Sequence, residues 1–277
     1  MKKYIIPIAF VAGALITLSV LLYPFVANYV NSRSQTRVVS QYIDDVAAID
    51  DGSRQAILEA AHAYNRDLLR SGRRFNPTQA EKAAYLKQLD AGRGVMGILA
   101  IEKIGVSLPI YHGTDEGVLQ VGIGHLQGTS LPVGGIGTHA FITGHRGLPS
   151  SKLLSNLDRM AEGDTFVLYV MGETLTYMVD DIQTVTPDDV KALEIDPDMD
   201  YCTLVTCTPY GVNTHRLLVR GHRVENAAGA WEMITAGAKR LDKLLIIALF
   251  LVPASPVILL CAVIVCVKIY KKGKMHP

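Results

Sequence analysis

The sequence predicts a mainly β domain, preceded by an α-helical region and flanked by two membrane-spanning helices. Three observations carry this. From Val95 to Arg223, short runs rich in Val, Ile, Thr and Tyr alternate with Gly, Pro, Asn and Asp, as in short strands joined by turns. Ahead of them, Gln55 to Leu69 repeats apolar residues at three- and four-residue spacing, the helical period. At the two ends, Tyr4–Val30 and Leu244–Val267 contain no charge and are almost wholly apolar, each long enough to cross a bilayer.

In chain order, residues 4–30 read as an anchor. A cleaved signal has a shorter apolar core, about 7–15 residues, and a small-x-small cleavage site, which Phe25 before Ala27 does not supply. Pro7, Pro24, Pro253 and Pro256 are compatible with membrane helices. Lys2 and Lys3 precede the first span, and Lys268, Lys271, Lys272 and Lys274 follow the second. The positive-inside rule places both termini in the cytoplasm and residues 31–243 on the opposite face. Residues 31–92 form the helical region. Ser40–Ala48 and Gln55–Leu69 carry the periodicity through Ile57, Leu58, Ala61, Tyr64 and Leu68, with Gly52-Ser53 as a cap. Residues 71–78 break the pattern, and Ala80–Leu89 resumes it.

Composition shifts at Gly92–Gly97. Strands are predicted at Val95–Ile101, Ser107–Tyr111, Thr138–Thr143, Thr165–Tyr169, Thr174–Val179, Ile182–Val185, Thr203–Cys207 and Leu217–Val219, an antiparallel sandwich or barrel over residues 93–225. Leu153–Asp158 reads as a short helix between strands. Residues 226–243 link the domain to the second span, 244–267, with Trp231 at the membrane interface, and residues 268–277 are the tail.

A net charge of +1 gives no argument for a nucleic-acid partner. The four cysteines are Cys202, Cys207, Cys261 and Cys266. The last two fall in the second span. The first two stand five apart in one predicted strand, so they face opposite sides and are not placed to form a disulfide. No Cys-x-x-Cys or His-Glu-x-x-His motif supports a metal site, and no cofactor is expected.

Cys207 closes the strand Thr203–Cys207. A Pro-Gly-Asn turn follows, and Arg216 opens the next strand nine residues later. A thiol at one strand end can therefore face a guanidinium at the start of the next. A nucleophilic cysteine also needs a base. His112, His125, His139, His145 and His215 are all candidates on spacing. His145 has the best local setting, where the strand Thr138–Thr143 runs into Gly144-His145-Arg146-Gly147. His139 inside that strand fits packing better, and His215 should face away from Arg216's side.

These motifs resemble the sortases, specifically the class C, pilin-polymerising group. The resemblance rests on Gly94–Gly97, Leu108–Thr114, Gly124–Gly135, the Thr-Gly-His-Arg-Gly turn at His145, and Thr206 through Gly221 around Cys207 and Arg216. Two anchors bracketing the domain also suit class C. The resemblance implies a closed eight-stranded β-barrel with short helices. Cys207 would be the nucleophile, His145 the general acid/base and Arg216 the oxyanion or substrate-positioning group. The implied substrates are pilin or surface proteins with an LPxTG-like signal cut between Thr and Gly, and the acceptor is a pilin lysine. A housekeeping enzyme that attaches surface proteins to cell-wall peptide is the alternative. The implied location is a Gram-positive-type cell membrane, with the catalytic domain outside. Class C enzymes usually carry a lid with an Asp-Pro-aromatic motif. The corresponding residues here, Arg73, Arg74 and Phe75 before Pro77, lack the acid, which puts an acid-to-Arg216 latch in doubt. A non-catalytic module from another class would instead keep Cys207 sealed in the interior.

Overall fold

The structure is a computed structural model that describes residues 2–226 and 229–237. The chain divides into two compact units, one holding the residues up to Val30 and the other Asn31–Arg240. Three helices come first: α1 (Lys2–Ala48), α2 (Asp51–Arg70) and α3 (Gln79–Tyr85). The strands are β1 (Val95–Ile101), β2 (Val106–His112), β3 (Ile123–His125), β4 (Thr138–Thr143), β5 (Thr165–Val170), β6 (Glu173–Val185), β7 (Asp200–Thr208) and β8 (His215–Val224). Helix α4 (Glu116–Val121) joins β2 to β3, and α5 (Ala230–Gly237) follows β8.

The eight strands close a barrel in the order β1-β2-β3-β4-β7-β8-β6-β5. It is mixed, not purely antiparallel as the sequence implied, because β2–β3 and β4–β7 pair in parallel. The β4–β7 junction needs a long crossover, and residues 144–199 supply it. The two runs expected at Thr174–Val179 and Ile182–Val185 are one strand, β6, with a bulge between Val179 and Asp181 that keeps it paired with β8. The eighth strand is β3, Ile-Gly-His, too short to show a period. Its Gly124 is required there: a Cβ would stand 2.0 Å from the carbonyl oxygen of Gly113.

The barrel interior is packed with Leu99, Ile110, Phe166, Leu168 and Val219, all fully buried, and removal of apolar area from water at about 25 cal/mol per Å² drives closure. From Asn31 onward, α1 lies on the barrel through Gln35, Val39, Tyr42 and Val46, spaced to share one helical face. The Tyr42 hydroxyl donates to the Met96 carbonyl at 2.8 Å and accepts from the Met171 N–H at 3.0 Å. Helix α2 buries Leu58, Ala61, Asn65 and Leu68. Asn65 holds both polar groups of Leu131, accepting from its N–H at 2.7 Å and donating to its carbonyl at 3.1 Å. The cap of α2 is Asp50, which accepts from the Ser53 N–H, not Gly52-Ser53. The Leu153–Asp158 stretch gives only a 3-10 turn at Leu157–Arg159. Within the expected linker, α5 buries Ala230 and Ile234, and Trp231 packs on Tyr169 at 5.0 Å between ring centroids.

Residues 4–30 are helical throughout as part of α1. Among the described residues, however, no helix is long and apolar enough to cross a membrane, so the structure gives the two expected spans no support of its own. The second span (244–267), the tail (268–277), Cys261 and Cys266 lie outside the described residues.

Candidate functional site

Parallel pairing brings the ends of β4 and β7 to the same rim of the barrel, and antiparallel β8 starts there. Cys207 on β7 is the register partner of Arg216 on β8. On the other flank of β7, Thr143 pairs with Val205. The Gly144 N–H donates to the Val205 carbonyl at 3.0 Å, and the Thr206 hydroxyl donates to the Gly144 carbonyl at 2.8 Å, so the alignment continues past the end of β4. Register partners share a face and neighbouring strands lie about 4.8 Å apart, so the Cys207 thiol and the Arg216 guanidinium are neighbours on one face. His145 follows the end of β4 on the other flank of β7, two residues past the Thr143–Val205 pair.

Cys207 is half-buried, whereas Cys202 on the same strand is sealed and burial pushes its thiol well up. Of the two described cysteines, Cys207 is therefore the one with solvent access, unlike the sealed thiol expected of a non-catalytic module. Arg216 is steadied by donation from Nη1 to the carbonyls of Asn213 (3.2 Å) and His215 (3.1 Å). The Nε2 of His145 is buried without a hydrogen-bond partner. The Glu116 carboxylate on α4 lies 3.7 Å from it.

The structure also separates the five histidines. His125 is fully buried, with Nε2 donating to the Ser130 carbonyl and Nδ1 accepting from the Tyr85 hydroxyl. Desolvation pulls it down to about 4. His139 is buried on β4, bonded to the Glu194 carbonyl and the Thr203 hydroxyl, and desolvation also takes it to about 4. His112 is buried between the carbonyls of Gln88 and Gly94. His215 pairs with Thr208, one register position from the Cys207–Arg216 pair, and so faces the opposite side. His145 alone among the five follows the end of β4, beside the strand that carries Cys207.

Two neighbours escaped the sequence reading. Glu116 approaches His145 through the β2–β3 connection. Arg146 is 10% exposed and donates to the Thr208 hydroxyl (3.2 Å) and to the Asp158 carboxylate (2.6 Å). The residue after His145 thereby ties itself to the residue after Cys207. Nothing in linear spacing marks either contact.

The segment 71–78 connects α2 to α3. Phe75 packs on Gly128, where a Cβ would come within 2.7 Å of its ring. Arg74 lies 5.2 Å from the centroid of that ring, and its Nη2 donates to the Leu193 carbonyl at 3.4 Å. Arg73 stays exposed. The segment is thus pinned between the β3–β4 and β6–β7 loops. Among the described residues, no group of His, Cys, Asp and Glu is placed to hold a metal ion.

Comparison with known proteins identifies the fold's family. The model of the Sortase domain family matches residues 99–224. Sortase C1 from Streptococcus agalactiae is 50% identical, superposes with a TM-score of 0.67, and is covered over 100% of its chain by 69% of this one. Sortase C from Streptococcus pneumoniae, whose structure is described as giving insight into catalysis and pilin substrate specificity, is 42% identical with a TM-score of 0.62. That match covers 69% of this chain and 98% of the other. Sortase D of Bacillus subtilis is 27% identical over 62% of this chain and 84% of its own length. With this domain match and these relatives, the chain belongs to the sortase family of cysteine transpeptidases.

Proposed function

We propose that the protein is a class C sortase that cleaves an LPxTG-like signal between Thr and Gly and joins the new carboxyl end to a lysine amine of a pilin subunit. What supports the reading is the Cys207–Arg216 register pair, with His145 following β4 on the other flank of β7. Cys207 attacks the threonine carbonyl as the thiolate, and the carbonyl oxygen gains the negative charge that Arg216 is placed to meet. His145 protonates the departing glycine amine. The C–N bond breaks and a thioester remains on Cys207. The acceptor amine then attacks the thioester carbon, displacing the thiolate and losing its proton towards His145. Bond energy kept in the thioester lets the exchange proceed without nucleotide or metal.

Support for polymerisation comes from the wording shared with class C enzymes and from the two relatives named sortase C or C1. We also read residues 4–30 and 244–267 as membrane anchors holding the domain outside the cell. The absence of charge from Tyr4 to Val30 supports this, as does the outward exposure of Phe10, Ile16, Val20, Leu21 and Phe25, side chains suited to lipid. Residues 71–78 we read as a lid, held by Phe75 on Gly128 and Arg74 on Leu193 in place of an acid–arginine latch.

The test is mass spectrometry of the full chain in detergent, incubated with an LPxTG peptide. A thioacyl adduct on Cys207, absent from Cys207→Ala, is expected. If the wild type forms no adduct, the reading fails. Ladders that require the acceptor lysine of a pilin mark polymerisation. Transfer only to a cell-wall peptide would establish the housekeeping role instead.

A further inference from the structure

We propose that a pocket beside Cys207, built by the β4–β5 and β7–β8 loops, is the acceptor subsite and takes a carboxylate carried next to the attacking amine. The proposal rests on the transpeptidase reading above. The pocket has a volume of about 390 Å³, and Arg146, Lys152, Asp158, Arg159, Leu148 and Tyr210 shape it.

Its walls connect to the neighbours of Cys207 and His145 at two points. Arg146 directly follows His145 and bonds the Thr208 hydroxyl, next to Cys207. Tyr210 belongs to the loop after β7, and its ring covers Gly147, 3.0 Å from where a Cβ would stand. The segment 71–78 packs elsewhere, on Gly128 and the Leu193 carbonyl, so it contributes nothing to the walls. A two-substrate reaction needs a second place for the acceptor, and this pocket lies beside the thioester that the first substrate leaves.

Its charge selects the ligand. Three cationic side chains face one carboxylate, Asp158, and Arg146 already engages that carboxylate at 2.6 Å. The Arg146 Nε is buried with no hydrogen-bond partner, so the protein alone leaves this guanidinium incompletely satisfied. Arg159 is exposed at the rim. Arginine in such a place recognises carboxylates in preference to neutral groups. The same positive field disfavours the ammonium form of an entering amine, and only the neutral amine can attack. A carboxylate beside the amine would dock on the cations and leave the nitrogen free to reach the thioester. There the new C–N bond forms as the C–S bond breaks, and the amine's proton leaves through His145.

The experiment uses the full chain in detergent, an LPxTG peptide as donor, and two capped acceptor peptides, Gly-Asp-Lys-Gly and Gly-Asn-Lys-Gly. We expect the KM of the wild type for the aspartate acceptor to be about tenfold lower than for the asparagine acceptor, the usual scale of one charge-assisted contact. The double variant Arg159→Glu, Lys152→Glu should lose or invert that ratio, and Arg159→Lys, which keeps the charge, should retain it. Equal KM values in the wild type, or a ratio that survives charge reversal, would overturn the subsite while leaving the enzyme assignment intact. Failure to form any thioacyl species would overturn the transpeptidase reading and the subsite together.

Discussion

Acidification from pH 7.5 to 4.5 should destabilise the barrel steeply, because two histidines are locked neutral inside it. His125 and His139 each titrate near 4 in the folded chain against 6.5 when unfolded, with desolvation the leading cause for both. In each imidazole one nitrogen meets a backbone carbonyl and the other a hydroxyl, of Tyr85 and Thr203 respectively, so the neutral ring is fully hydrogen-bonded. Because the folded values are depressed, the unfolded chain binds more protons between pH 6.5 and 4. Stability is therefore complete above pH 6.5 and is lost as pH falls through 4. At pH 4.5 linkage gives about 2.5 kcal/mol per histidine, or about 5 kcal/mol for both if they act independently. That loss rivals the whole stability of a typical domain. Urea unfolding in detergent reads it out through Trp231, the sole tryptophan, which packs on Tyr169 of the barrel. His139→Gln should retain the hydrogen bonds yet lose about half of the pH dependence between 6.5 and 4.5. A flat wild-type profile over that window, or parallel profiles for wild type and variant, would refute the reasoning.

Arg216→Ala should lower the rate of thioacyl formation by two to three orders of magnitude, as expected for loss of an oxyanion donor; a near-normal rate would exclude that role. Deleting Arg73–Pro77 should raise the rate at which an alkylating reagent modifies Cys207, and an unchanged rate would mean that the segment is no lid. Gln35 is buried, and its amide donates to the Val121 carbonyl and the Ser151 hydroxyl, so Gln35→Leu should cost about 1–3 kcal/mol by stranding them. Urea unfolding checks this, and a change below about 0.5 kcal/mol would show that the contacts carry no weight.

Local signals made much of the domain legible. β1 and β4 fall where the β-branched runs predict them, and Cys207 and Arg216 face each other because a short turn joins two adjacent strands. What stayed hidden was non-local. The bulge at β6 merges two apparent strands, and β3 exists only because β2 and β4 supply its partners. What favours His145 over the other four histidines is β4 lying parallel to β7, sixty-two positions away by register. Glu116 reaches His145 through the β2–β3 connection, and Arg146 reaches Thr208 across the β4–β7 seam. Asn65 broke the apolar pattern of α2 because its amide serves the backbone of a distant loop.

The parallel seam between β4 and β7 also sets a timetable. Made from its amino end, the chain has the imidazole first, the sulfur some sixty residues later and the guanidinium last. Pairing so distant in sequence forms late, and no fragment short of β8 holds the complete trio. A nascent or partly assembled copy therefore lacks the full set of groups that transpeptidation would draw on until the barrel closes.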